Sequence, residues 1–375
     1  MNKSSHICFV APHAYPVLAN DASLKSVGGA EVQQCIIAKA LAKRGYRVSM
    51  ICLDYGQPNE LIISGIRIFK AHKPEEGIPV LRFIHPRATS IWRAMKRVNA
   101  DIYYQRTADV HTGLVAFFCR QAGKKMIFSA ASDTDLMPGK QRIQYKRDRL
   151  IYEWGLRHAN IIVTQSIHQQ ELCAKNYNRE SVCIQSCYEF LPGVSNVDRQ
   201  IDVLWVATVK PVKRPEVFLE LAQKIPAFSF RMVGGPSTGN NRESYYCKIK
   251  EQAAMISNFE FTGFVSYKEI DQYFNTARLF VNTSEWEGFP NTFLQSWIRG
   301  IPTVSFFDPK AVIEGQQVGV VVNSIDEMIL KIKELLVSPQ KYAAVGNICK
   351  KYAEQFHSVE KIVDEYSKVF TLLAA

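Results

Sequence analysis

Nothing in this sequence approaches the roughly 20 consecutive apolar residues that a membrane-spanning helix requires. There is no low-complexity tract and no short internal repeat, which argues against disordered arrays and solenoids. Cysteine pairing is also missing. The nine cysteines are scattered, mostly in apolar contexts such as "HICFVAP" and "SMICLD". Cys183 and Cys187 are the nearest pair, and no histidine stands beside them, which makes a poor zinc site. Reduced, buried thiols in a cytoplasmic protein are the expectation. The first glycine loop is not Gly-x-Gly-x-x-Gly and has no suitably placed acidic residue after it, which disfavours a nicotinamide-linked oxidoreductase.

Acidic residues are the scarcer charge, 35 against 46 Lys and Arg, for a net charge of +11. The imbalance is confined to residues 1–195, which hold 26 basic and 15 acidic residues. Such a lopsided charge suits an anionic partner, or a solvated basic face. A nucleic-acid partner is disfavoured, because the chain lacks an aromatic-basic recognition motif and its anion-binding loops lie in the neutral half. The opening "MNKSSHICFVAPHAYP" has one Lys and a short apolar run ending at proline; it reads as a first strand better than as a signal peptide.

With 375 residues the chain exceeds one ordinary core. Short apolar runs alternate with helical periodicity: "HICFVAP" (strand), "GGAEVQQCIIAKALAKRGY" (helix), "RVSMICLD" (strand), then "ADIYYQR", "TGLVAFFCRQAG", "KKMIFSAAS", "ANIIVTQS" and "IHQQELCAKNY". "EFLPGVSNVDRQ" interrupts the alternation as a linker. It resumes with "IDVLWVATV", "RPEVFLELAQKI", "FSFRMVGG", "FEFTGFV", "YKEIDQYFNTA", "RLFVNTS" and "PTVSFF", and ends in two helices, "SIDEMILKIKELLVS" and "VEKIVDEYSKVFTLL". Two runs of β-α alternation predict two doubly wound α/β domains with a cleft between them, ligands lying beyond the carboxyl ends of the strands.

Four strand-to-helix loops therefore carry the candidates. "SVGGAEVQQ" offers Gly29 before a helix, where backbone N–H groups can approach an anion; a plain tight turn also fits. "ATVKPVKRPEVF" crowds Lys210, Lys213 and Arg214 into five residues where a phosphate can rest, or where solvent takes the charge. "MVGGPSTGNN" places Gly234 and Gly235 after a strand. In "SEWEGFPNTFLQSWIRGIP", Glu285 and Glu287 precede the bend Gly288-Phe289-Pro290, with Asn291 or Thr292 expected to cap a helix that Gly300 ends. Glu287 can accept from sugar hydroxyls while the free helical N–H groups hold a diphosphate; two glutamates can also merely favour the helix dipole.

Together "EGFPNTFLQSWIRGIPTV", "GGAE", the lysine-bearing loop and "MVGGP" resemble the retaining glycosyltransferases of family 4, closely over about residues 202–322 and more thinly before. The resemblance implies a GT-B fold of two Rossmann-like domains facing across a cleft. Residues 1–195 would bind the acceptor, 196–355 a nucleotide-diphosphate sugar, and the last helix, 356–375, would cross back to the first domain. It implies that Glu287 holds the donor hexose, lined by Gly288, Phe289, Pro290 and Asn291. Lys213 and the backbone of Thr292 and Phe293 would neutralise the diphosphate, and Phe264 and Val265 would lie near the base.

Three positions depart from the family pattern. Gln295 replaces the second glutamate, which grips the ribose. Thr208 replaces an arginine, with Lys210 or Arg214 left to compensate. "SDTD" stands where a histidine is common, which makes Asp133 the group facing the reacting centre. Asp133-Thr-Asp135 matches a metal pattern of the other large glycosyltransferase fold but lies in the wrong half, so neither metal nor other cofactor is expected.

The implied reaction is retaining, metal-independent transfer of a hexose to a hydroxyl of a glycan or lipid-pyrophosphate-linked saccharide, in bacterial surface polysaccharide synthesis. The segment "GKQRIQYKRDRLIYEWGLRHAN" could rest on the anionic inner face of the cell membrane, or form a charged amphipathic helix packed on the sheet. The alternative function is a GT-B-like protein that binds a nucleotide sugar or polyanion without turnover.

Overall fold

The computed structural model describes residues 5–20, 28–77, 83–189, 199–237 and 242–374. Its contacts divide into two compact units. The first runs to Cys187 and regains the chain at Val359; the second spans Tyr188–Ser358. The expected boundary after residue 195, and most of the expected linker, fall in 190–198, outside the described residues.

Unit 1 is built on β1 (His6–Val10), β2 (Arg47–Cys52), β3 (Glu60–Ile63), β4 (Ile66–Lys70), β5 (Ile102–Arg106), β6 (Lys125–Ser129), β7 (Ile161–Thr164) and β8 (Val182–Cys183). They form one sheet in the order β3-β4-β2-β1-β5-β6-β7-β8. All neighbours are parallel except the β3–β4 hairpin. β1 and β5 are buried along their whole length; β1 is an apolar run, and β5 carries Gln105 and Arg106 inward on hydrogen bonds with Thr112 and Ser129. The helices are α1 (Tyr15–Ala19), α2 (Gly29–Lys43), α3 (Thr89–Val98), α4 (Val110–Ala122), α5 (Lys146–His158) and α6 (Ile167–Tyr177).

Unit 2 contains β9 (Ile201–Val206), β10 (Phe230–Val233), β11 (Phe259–Gly263), β12 (Ala277–Asn282), β13 (Thr303–Ser305), the β14–β15 hairpin (Val312–Ile313, Gln316–Gln317) and β16 (Val320–Val321). Six strands make a parallel sheet in the order β11-β10-β9-β12-β13-β16. This is a doubly wound order whose direction of winding reverses between β9 and β12, and ligands of open α/β sheets bind outside the carboxyl ends of strands at such a reversal. Its helices are α7 (Pro215–Lys224), α8 (Arg242–Ala254), α9 (Ile270–Thr276), α10 (Asn291–Trp297), α11 (Ile325–Val337) and α12 (Pro339–His357). Trp205 and Trp297 are its largest fully buried side chains.

The chain then re-enters unit 1 as α13 (Val359–Ala374). Tyr366 meets Tyr104 of β5 hydroxyl to hydroxyl at 3.1 Å, and Arg44 at the end of α2 pairs with Asp364. The sequence reading of two terminal helices is corrected to three: α12 lies between them.

None of the described cysteines is disulfide-bonded. Seven are buried and Cys183 is half-buried, with burial pushing the Cys35, Cys187 and Cys349 thiols up to about 12. Cys247 is exposed, against the expectation of buried thiols throughout. Among the described residues no helix is long and apolar enough to cross a membrane.

Candidate active site

The loops that leave β9 and β12, the two strands at the reversal of unit 2, bring Lys213 and Glu287 together. Lys213 closes a short 3-10 turn, Pro211–Lys213, and Arg214 follows in the left-handed region at φ 48° before Pro215 opens α7. Glu287 comes from the bend after β12, and its Oε1 accepts from Lys213 Nζ. Ser284 Oγ donates to the same oxygen at 2.7 Å and Asn282 Nδ2 at 3.3 Å. The two loops are tied independently of this pair. Glu285 N–H donates to Val212 O at 3.0 Å, and Thr283 Oγ donates to Lys213 O at 2.6 Å while accepting from Trp205 Nε1 at 3.0 Å.

Only 16% of the Lys213 side chain and 12% of the Glu287 side chain are exposed. Burial pushes the Glu287 carboxyl up, but the Lys213 ammonium and the hydrogen bonds from Lys213, Ser284 and Asn282 outweigh it and hold the group below its ordinary range. The carboxylate is therefore ionised at neutral pH. The result is an acceptor for hydroxyl groups beside a fixed cation, in a half-buried setting where both charges are weakly screened.

Other candidates have different neighbours. Gly234 and Gly235 permit close approach, but to the chain itself: a Cβ on Gly234 would lie 1.9 Å from Ala207 O, and one on Gly235 3.0 Å from the Phe264 Cβ. Gly234 N–H donates to Gly263 O at 2.8 Å. These glycines therefore knit the loops after β9, β10 and β11 into one surface that includes Phe264 and, next to it, half-buried Val265. Thr208 is half-buried just beyond β9, and Arg214 lays its guanidinium 5.0 Å from the Phe306 ring centre.

The helix after the bend starts one residue earlier than expected. Pro290 is its N-cap, Asn291 and Thr292 are its first two residues, and no side chain caps it. Phe293 N–H donates to Pro290 O at 3.0 Å, so that group is engaged within the turn, which corrects the expectation that it is offered to a ligand. Gly288 sits in the bend, and the Phe289 ring stacks 4.8 Å from His357 of α12. Gln295 is 4% exposed. Its Nε2 donates to Tyr188 Oη at 3.0 Å; that hydroxyl donates to Asp271 Oδ1 at 3.1 Å, and Arg299 clamps Asp271 at 2.7 Å. The amide nitrogen of Gln295 is thus engaged in an internal network.

Two candidates belong to unit 1. Gly29 is the first residue of α2, after Gly28 at its N-cap. Asp133 begins a 3-10 turn, accepts from Gln169 Nε2 at 3.0 Å, and has His168 Nε2 at 3.9 Å. Its companion Asp135 is turned inward, where it completes a capping box with Ser132 and accepts from Ala131 N–H at 2.8 Å. Among the described residues no three His, Cys, Asp or Glu side chains cluster as metal ligands.

The sequence reading passed over Asn282, Thr283, Ser284 and Trp205, which hold the ion pair in place. It also passed over Asp109 and His111 after β5, where His111 Nδ1 donates to Asp109 Oδ2 at 2.5 Å. Burial pushes the His111 imidazole down and the adjacent carboxylate more than offsets it, so the ring is held above its usual range. Thr107 at φ 70°, an outlier for a β-branched residue, marks that loop as constrained. The sequence signal was a polar "TADVH" directly after a buried strand.

Residues 190–352 match the family model described as glycosyl transferases group 1, and residues 27–185 match glycosyltransferase family 4. An uncharacterized glycosyltransferase of Haemophilus influenzae is 21% identical over 92% of this chain and 97% of its own length. The O-antigen biosynthesis glycosyltransferase WbnH of Escherichia coli is 32% identical over 30% of each chain. In fold, the chain is similar to Anabaena HepE, solved in complex with UDP and glucose, with a TM-score of 0.74 and 17% identity over 98% of this chain and 99% of that one. Matched in each half by one of these models, and built as two parallel-sheet units of the GT-B kind, the chain belongs to the group 1 glycosyltransferases, and the match over residues 27–185 points to family 4.

Proposed function

We propose that this protein is a retaining, metal-independent glycosyltransferase. It moves a hexose from a nucleotide-diphosphate sugar to a hydroxyl of a glycan or lipid-pyrophosphate-linked saccharide, in the synthesis of a bacterial surface polysaccharide. The observation that carries the reading is the Lys213–Glu287 pair at the reversal of the unit 2 sheet. Breaking the sugar–phosphate bond builds negative charge on the leaving diphosphate, and a fixed cation there lowers the barrier without reorganisation. Glu287 accepts hydrogen bonds from the hexose, and the Lys213 ammonium held beside it faces the donor's phosphates. The acceptor hydroxyl attacks as the bond opens, and its proton passes to the departing phosphate. Lys213 and the Thr292 N–H supply the neutralisation that an ion supplies elsewhere.

The likeness to a UDP- and glucose-bound structure supports a nucleotide-sugar donor, and the partial match to an O-antigen enzyme supports the polysaccharide setting. A thermal-shift screen of UDP-, GDP- and ADP-sugars tests the donor, since saturation at 100 times Kd stabilises by about 2.7 kcal/mol. One donor class is expected to raise Tm and to be turned over with EDTA present, and Glu287→Ala to abolish both. A Tm rise without transfer or hydrolysis would favour a binding protein; no rise with any donor would refute the reading.

A further inference from the structure

We propose that the outer face of α3, α4 and α5 in unit 1 is a docking surface for an anionic lipid bilayer. The inference deepens the reading of a lipid-linked acceptor and rests on it for its biological sense, though its physical basis lies in unit 1 alone.

α5 presents a mixed strip to solvent. Lys146, Leu150 and Trp154 follow one another at four-residue spacing, and Arg157 lies one turn past Trp154, so all four share one side of the helix. Leu150 is 69% exposed and Trp154 36%. Tyr145, just before the helix, is also exposed. The opposite side, with Tyr152, Gly155 and Leu156, is buried.

The strip continues onto α4 because the two helices touch backbone to backbone. A Cβ on Gly155 would lie 2.6 Å from Gly113 Cα, and one on Gly113 would lie 2.3 Å from Ile151. This crossing sets exposed Phe117 of α4 with its ring 6.3 Å from Trp154, and Trp92 of α3 lies 5.7 Å beyond Phe117. Large apolar groups on three helices thus make one continuous surface, where a soluble surface would scatter them.

Its charge is one-sided. The three helices carry Arg93, Lys96, Arg120, Lys146, Arg147, Arg149 and Arg157 against only Asp148 and Glu153, while Arg97 is taken up by Glu60 of β3 at 3.3 Å. Both acids are paired within the strip, Asp148 with Arg147 Nε at 2.7 Å and Glu153 with Gln141 Nε2 at 3.0 Å and Arg157 at 4.0 Å, which leaves the remaining bases in excess. All the bases except Arg149 are exposed. Aromatic and aliphatic side chains ringed by Lys and Arg, with indole among them, match the interface of a bilayer that carries anionic headgroups. A nucleic acid would use the charge but leave Leu150 and Phe117 unexplained.

Co-sedimentation of the full chain with phosphatidylcholine vesicles, with and without about 30% phosphatidylglycerol, tests the proposal. Binding is expected only to the anionic vesicles, with release at high salt. Leu150→Ser is expected to weaken partitioning by about tenfold, the transfer cost of one exposed leucine, and Arg147→Glu with Arg157→Glu by at least tenfold, at about fivefold per cation lost. Equal binding to neutral vesicles, no binding to anionic ones, or unchanged binding by these variants would overturn it. So would a dimer of the wild type that Leu150→Ser returns to monomer. The donor-induced Tm shift of each variant is measured alongside: if it persists while vesicle binding fails, the docking surface falls and the donor reading stands.

Discussion

Lys213→Ala separates a designed ion pair from an incidental one, because its effect on stability must depend on pH with a fixed sign. The substitution strands a carboxylate whose side chain is 12% exposed. Removing one partner of a buried pair costs about 3–5 kcal/mol. The hydrogen bonds from Ser284 and Asn282 remain on Oε1 and hold back about 1 kcal/mol. At roughly 2–4 °C per kcal/mol for a unit of this size, the remaining ~2–4 kcal/mol lowers Tm by about 4–16 °C at pH 7. In the wild type Glu287 is held below its ordinary range, so its contribution is fully present above that range and is lost as pH falls through the folded value. In Lys213→Ala the ammonium is gone and burial remains, so the carboxyl moves up, and the penalty present at neutral pH is relieved as the group protonates. The Tm gap between the two proteins is therefore expected to be widest near pH 7 and to narrow steadily below about pH 5. Differential scanning fluorimetry from pH 4 to 8 measures it, with Lys213→Ala/Glu287→Gln as the control that should recover part of the loss. A gap that stays constant down to pH 4, or a double variant no more stable than the single one, would refute the argument. Loss of the cation is expected to reduce kcat by about 10²–10³, the scale of removing one group that stabilises transition-state charge.

Gln295→Glu restores the residue of the family pattern, and the structure predicts a cost. Tyr188 has one hydroxyl proton, already given to Asp271, so a carboxylate at 295 would face an acceptor in a buried site; Tm without ligand should fall, by about 1–3 kcal/mol in stability. An unchanged melting curve would show that the side chain leaves the network. Gly234→Ala places a Cβ 1.9 Å from Ala207 O, a backbone atom with nowhere to move, whereas Gly235→Ala meets the Phe264 side chain at 3.0 Å. The first is expected to destabilise by about 1–3 kcal/mol or more and the second by clearly less; equal losses in chemical denaturation would contradict the account of these glycines.

Much of the fold was legible because buried parallel strands and their crossover helices have distinct periods. α6 occupies the same residues, Ile167–Tyr177, that the sequence pattern marked out. The β3–β4 hairpin was not read, although its turn carries a signal: Ser64 and Gly65 both take positive φ, at 51° and 78°, as a two-residue hairpin turn demands. α12 was hidden for a different reason. Gly346 lies in the middle of it and reads as a breaker, but a Cβ there would come 2.4 Å from Gly300 O. The glycine is a packing requirement where α12 passes the end of α10, and tertiary approach overrides propensity.

The candidate site was legible as residue types at strand ends and illegible as directions. Lys213 and Glu287 are 74 residues apart, and no local pattern links them. What joins them is strand order, since β9 and β12 are sheet neighbours and both loops leave the same edge. A doubly wound sheet reverses its winding once, so a run of β-α alternation already implies that some pair of such loops converge. It does not say which side chains turn outward. Gln295 and Glu287 lie on the same short stretch, yet one is drawn into the protein by Tyr188 and the other is held at the loop ends by Lys213. Each direction is decided by a partner far away in sequence. For that reason the Tm of Gln295→Glu and the pH dependence of Lys213→Ala probe one question at two positions: whether a partner distant in sequence fixes the direction of each side chain in this stretch.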